Sequence, residues 1–155
     1  MKRRNGFTLI ELLAVIVILA LIAVIASPLI INVIENARKE SAANSAYGAL
    51  NGVKSHYADS LLSTNPISLP FTVDFGAEAD TETGVVAGKN VAMSGNKPTE
   101  GTVTLTSSGK YCVGTYVAAA GETPESCTEA DIEVNSYNCS YDWETQKVTG
   151  CTKAS

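Results

Sequence analysis

Histidine is nearly missing from these 155 residues: His56 is the only one, with no acid–base or metal partner near it in sequence. Cysteine is absent until Cys112, and the four that follow, Cys112, Cys127, Cys139 and Cys151, contain no CxxC spacing, so a zinc centre is the weaker reading of them. No glycine-rich phosphate loop follows a candidate strand, and spacing alone brings no pair of carboxylates together, so no catalytic set emerges and an enzyme is the least supported class. Positive charge is also scarce. No Lys, Arg or His lies between Arg4 and Arg38, and from Phe71 onward five basic side chains face twelve acidic ones. That field repels phosphate backbones and makes direct nucleic-acid binding through bulk charge a poor expectation.

What the chain does have is concentrated at its start. A polar leader with Lys2, Arg3 and Arg4 gives way at Gly6, and from Leu12 to Ala26 every residue is Leu, Ile, Val or Ala. Such a run belongs in lipid or in a bundle of its own kind. Glu11 does not fit it. A carboxylate in hydrocarbon costs on the order of 3 kcal/mol by insertion scales, and the run supplies no basic side chain to neutralise it. A cut after Gly6 would supply one cation, the free amine of Phe7, one helical turn away on the same face.

The leader, then Gly6-Phe7-Thr8-Leu9-Ile10-Glu11-Leu12, then the long apolar run, resembles the prepilin signal of type IV pilins and type II secretion pseudopilins, over roughly Lys2 to Tyr57. Cleavage residue, charged position and apolar length must coincide for that motif, which makes it specific. The resemblance implies that a membrane prepilin peptidase cuts after Gly6 and methylates Phe7. It implies that Glu11 pairs with a neighbouring subunit's N-terminus during assembly, and that Pro28 is the proline at which the helix loosens in the filament. It also implies a pilus assembly platform and its ATPase as partners, membrane lipid before assembly, and self-association into a homopolymer. An ordinary secretory signal has a shorter apolar stretch with a small-residue cleavage site after it, and a plain single-pass anchor leaves Glu11 unexplained.

An even number of cysteines in a small domain behind a membrane signal points to disulfides and to an oxidising compartment outside the cytoplasm. Four cysteines allow three connectivities, and the sequence does not choose among them. The expectation adopted is Cys112 with Cys127 and Cys139 with Cys151, since each closes a short loop. Lys2, Arg3 and Arg4 before the span, against Arg38 and Lys39 after it, bias the leader slightly inward. The orientation expected is leader inside, head outside, in the prokaryotic cytoplasmic membrane and then in an extracellular filament.

Taken in order, Phe7 to about Leu62 reads as one helix of roughly 80 Å at about 1.5 Å per residue. Pro28 lacks an amide hydrogen and clashes with the carbonyl of Val24, which predicts a kink or a loosened turn there. Beyond it the pattern becomes one-sided: Ala42, Ala46, Ala49, Leu50, Val53, Tyr57 and Leu61 recur mostly at three or four residues and predict a stripe facing a sheet. Gly48 and Gly52 weaken the helix by about 1 kcal/mol each or permit close packing. His56 lies at the flank of the stripe and reads as a boundary histidine. The charge cluster Glu35, Arg38, Lys39, Glu40 reads as solvated.

Ser63 to Pro66 ends the helix, and Phe71 to Phe75 alternates as a strand does. Glu78, Asp80 and Glu82 stand at every second position, but the full calcium-loop pattern is absent and a solvated acidic loop is the better account. Gly101 to Thr106 and Lys110 to Val117 predict a hairpin about Ser107-Ser108-Gly109, and Ser136 to Tyr141 with Gln146 to Thr149 predict a second. Ala118 to Asp131 reads as an exposed loop pinned by a disulfide. Trp143, at the second turn, reads as locally packed in preference to a partner contact.

The fold class that follows is α+β: a long N-terminal helix, membrane-spanning and then amphipathic, packed on a small antiparallel sheet. The expected divisions are a leader (1–6), an apolar transmembrane and assembly helix (7–34), its amphipathic continuation (35–62) and a disulfide-stabilised β head (63–155). The expected function is a structural prepilin that polymerises into a type IV pilus or pilus-like filament, with no cofactor and no metal. The alternatives are a minor pilin or pseudopilin of a secretion or DNA-uptake machine, and a membrane-anchored surface-binding module.

Overall fold

The structure is a computed structural model that describes residues 7–78, 85–120 and 123–154. It resolves into two compact units, Met1–Arg38 and Lys39–Ser155. One helix, α1 (Leu9–Ser60), contributes to both. Every large apolar side chain from Leu9 to Ile34 is at least 46 % exposed, so no described residue covers the first half of α1. α1 runs through Pro28 as one helix. A proline removes one ladder bond, the one to the Val24 carbonyl, and the flanking turns hold the helix. The Ser27 hydroxyl donates to the Ala23 carbonyl at 2.7 Å beside the gap.

The second half of α1 behaves differently. Ala42, Ala46, Ala49, Leu50 and Val53 are buried at the predicted spacing and join one core with Phe71, Val73, Val103, Val113, Ile132 and Val134. Tyr57 packs at the rim of that core, whereas Leu61, counted in the stripe, is more than half exposed because the helix ends at Ser60. Gly48 and Gly52 are close-approach sites. A Cβ at Gly52 would stand 2.9 Å from both the Ala92 carbonyl oxygen and the Met93 Cβ, and one at Gly48 would meet the Ser94 carbonyl. His56 stacks on Phe71, ring centroids 5.8 Å apart.

Eight strands complete this unit: β1 (Phe71–Asp74), β2 (Val85–Ala87), β3 (Thr102–Leu105), β4 (Tyr111–Val117), β5 (Ser126–Glu129), β6 (Asp131–Val134), β7 (Tyr137–Asp142) and β8 (Lys147–Lys153). They form a five-stranded sheet in the order β2-β1-β3-β4-β5 and a three-stranded sheet in the order β6-β7-β8. Both predicted hairpins are present, as β3–β4 and β7–β8. Two features differ from the sequence reading. β2 runs parallel to β1, so the larger sheet is mixed. The stretch expected to be a loop before Asp131 instead holds β5, paired antiparallel with β4. β6 follows it and pairs with β7 across a two-residue turn, where Asn135 and Ser136 both take positive φ, +54° and +63°. That left-handed pair suits the tight turns that match strand twist.

The sheets are tied to each other by side chains as well as by the core. Gln146 imitates a backbone unit: its Oε1 accepts from Tyr111 N at 2.8 Å and its Nε2 donates to Tyr111 O at 3.1 Å. This clips the start of β4 to the β7–β8 turn. Trp143 is buried at that turn, its amide donating to Glu129 Oε1 at 2.6 Å and Lys110 Nζ lying 4.8 Å from its ring centroid.

Candidate assembly helix

The candidate site is the first unit's apolar helix and the residues at its N-terminus. Thr8 stands just before α1 with Glu11 three residues on, and the two satisfy each other. The Thr8 amide donates to Glu11 Oε2 at 2.9 Å, the Thr8 hydroxyl donates to the same oxygen at 2.7 Å, and the Glu11 amide donates to Thr8 Oγ1 at 3.3 Å. This is a capping box, in which a first-turn carboxylate and a capping hydroxyl take up amides that the helix leaves without carbonyl partners. The carboxylate also complements the positive end of the helix dipole. Thr8 was not singled out as a site residue from the sequence, although Thr8-Leu9-Ile10-Glu11 carries the Thr-x-x-Glu signal in plain view.

Phe7 is 85 % exposed. Gly6, the expected cleavage residue, lies outside the described residues, as do Lys2, Arg3 and Arg4. Glu11 is the sole charged residue between Phe7 and Ile34, and α1 is long and apolar enough to cross a membrane, with none of its most apolar window buried. The arrangement exposes a continuous apolar cylinder with one stowed anion at its end. In water that surface is unfavourable by about 25 cal/mol per Å², so it requires lipid or other helices around it.

The expected disulfide residues lie in the second unit. Cys112 pairs with Cys127 and Cys139 with Cys151, the short-loop connectivity, with Cα separations of 5.6 Å and 4.1 Å. The first staples β4 to β5 and the second β7 to β8, so each reinforces a ladder already formed. Asp80 and Glu82 of the acidic loop lie outside the described residues. Among the described residues no three His, Cys, Asp or Glu side chains converge as a metal centre would require. The shifted ionisations of this unit follow from its packing. Burial pushes the Tyr141 hydroxyl upward, with Tyr111 and Tyr47 adding to it, and burial does the same to Tyr111. The Asp142 carboxyl is held below its usual range chiefly by the Thr145 amide, with the Thr145 hydroxyl assisting.

Residues 1–27 match the family described as the prokaryotic N-terminal methylation motif. The chain carries the type IV pilin and pseudopilin signal. No curated protein and no solved structure matches the chain. The pilin-type signal therefore rests on the leader and the first turns of α1, where Glu11 and Thr8 are found. The strands, sheet order and disulfides are properties of this chain read on their own.

Proposed function

We propose that the chain is a structural prepilin, cut after Gly6 and methylated at Phe7, which polymerises through α1 into a type IV pilus or pilus-like filament. The observation that carries this reading is the coincidence, in residues 1–27, of the methylation motif with a wholly exposed apolar helix interrupted by one carboxylate. Cleavage leaves a charged amine on Phe7. In the membrane Glu11 is satisfied by its own Thr8. In a bundle of helices the amine of a neighbouring copy offers it a full positive charge instead, and an axial misregister leaves both charges unpaired in an apolar core. Glu11 thus sets register while the apolar surface supplies the drive to associate. Pro28 leaves one ladder bond unmade in the same helix, which makes the turn around it the cheapest to open on packing.

An intact mass of the mature chain tests the processing: the expected value lacks residues 1–6, carries one methyl group and is four hydrogens lighter for two disulfides. A mature chain that still begins at Met1 would refute the proposal, because the amine that Glu11 needs would not exist.

A further inference from the structure

The larger sheet ends on β2 and β5 and the smaller on β6 and β8, and neither β5 nor β8 has a ladder beyond it among the described residues. β6 is closed on its outer side, where Thr99 N donates to Glu133 O at 2.9 Å and Glu133 N to Glu100 O at 3.0 Å. The register shows which groups the open edges present. In the β4–β5 pair Ala130 N donates to Val113 O, so alternate pairs from there, Thr115 with Thr128 and Val117 with Ser126, exchange bonds. Cys127 and Glu129 therefore turn their N–H and C=O groups outward. In the β7–β8 pair Ala154 N donates to Ser136 O, so Asn138 with Thr152 and Ser140 with Gly150 exchange bonds. Cys151 and Lys153 then face outward. Among the described residues the start of β8 is covered by Tyr47, whose hydroxyl accepts from Val148 N at 2.9 Å.

The two edges differ in sign. β5 follows Glu125 and ends in exposed Glu129, whereas β8 begins and ends in exposed Lys147 and Lys153. Charges on an edge strand ordinarily deter pairing of like edges. Here they oppose β5 on β5 and β8 on β8, and they favour β8 on β5. Neither strand meets the other within its own sheet, so the complementary contact joins different copies. A contact between two different surfaces of one chain propagates as an open array unless the rotation closes a ring.

We propose that in the filament the outer edge of β8 of one copy pairs antiparallel with the outer edge of β5 of a second copy, with Lys153 opposite Cys127 and Cys151 opposite Glu129, which brings Lys153 diagonally beside Glu129 on the same face. This rests on the polymerisation reading above and adds a contact between β units to the one made by α1. Strand addition of this kind draws affinity from main-chain hydrogen bonds and choice of partner from side chains.

Residue-resolved amide exchange on filaments of the full-length processed chain, compared with the same chain as detergent-solubilised subunits, tests it. On assembly the amides of Cys127, Glu129, Cys151 and Lys153 should slow by about ten-fold or more, as newly protected amides do. Thr128 and Thr152, already laddered, should change little. Filaments of Lys153→Glu should lose most of that slowing, and those of Lys153→Arg should keep it. Glu129→Gln, which retains an acceptor for Trp143 N, should give an intermediate loss. Filaments in which the four amides exchange as fast as in the subunit overturn the strand pairing and leave the role of α1 intact. Slowing on β8 alone means a different segment covers it and also overturns the pairing. A processed chain that forms no filaments overturns both.

Discussion

The two halves of α1 share one backbone and opposite circumstances. From Leu9 to Ile34 the helix is almost wholly apolar and no described residue covers it, while from Lys39 to Ser60 a stripe of small and branched residues is buried against two sheets. The difference teaches where each half obtains its stability. The second half is held by tertiary packing, as most protein helices are. The first half has the propensity to be helical but must find its burial outside the chain, and the only charge it carries is folded back on Thr8.

Substitutions that separate the halves sharpen this contrast. The largest effect expected is from Glu11→Ala: cleavage and head folding persist, while the yield of sheared surface filaments falls to background. Normal filaments from that variant would break the division of labour. Next, Leu50→Ala should destabilise the second unit by about 2–5 kcal/mol, the usual cost of truncating a buried leucine, whereas Leu19→Ala, at a site 58 % exposed, should leave its thermal unfolding unchanged. Equal effects from the two would show that the halves are not independent. Replacing Cys139 and Cys151 together by serine should lower the stability of the second unit by about 2–4 kcal/mol, read by denaturant unfolding of the solubilised chain.

Smaller effects probe the ends. Thr8→Ala removes the capping hydroxyl and should cost about 1 kcal/mol of local helix stability, seen as faster amide exchange over residues 9–12 with no change beyond Pro28. The smallest is a pH effect. A carboxyl whose folded pKa is depressed contributes stability that is present above its ordinary range and lost as pH falls through the folded value. For Asp142 this predicts that the second unit weakens as pH drops below the usual aspartate range, and that Asp142→Asn flattens this part of the profile in pH-dependent thermal melts.

Much of the fold was legible because its signals are local. The apolar run from Leu12 to Ala26, the alternation of Phe71 to Phe75 and the turn at Ser107-Ser108-Gly109 each declare themselves within a few residues. The capping box is equally local, since Thr8 and Glu11 lie three residues apart. β5 and β6 were hidden. Gly121 and Pro124 precede them and suggest a loop, and their strand character comes from β4 and β7, which lie elsewhere in the chain.

By itself the sequence determined that an apolar helix with one acid near its start follows a basic leader, and hence that the first half of α1 must live among lipids or its own kind. Composition and short-range spacing suffice for that, because transfer free energy and helical periodicity act residue by residue. Only the tertiary structure decided which cysteines meet, that β2 runs parallel to β1, that Gly48 and Gly52 admit the backbone at 92–94, and that β5 and β8 are left as open edges of opposite charge. Each of these depends on which distant segments come to lie side by side, and that follows from the packing of the whole core.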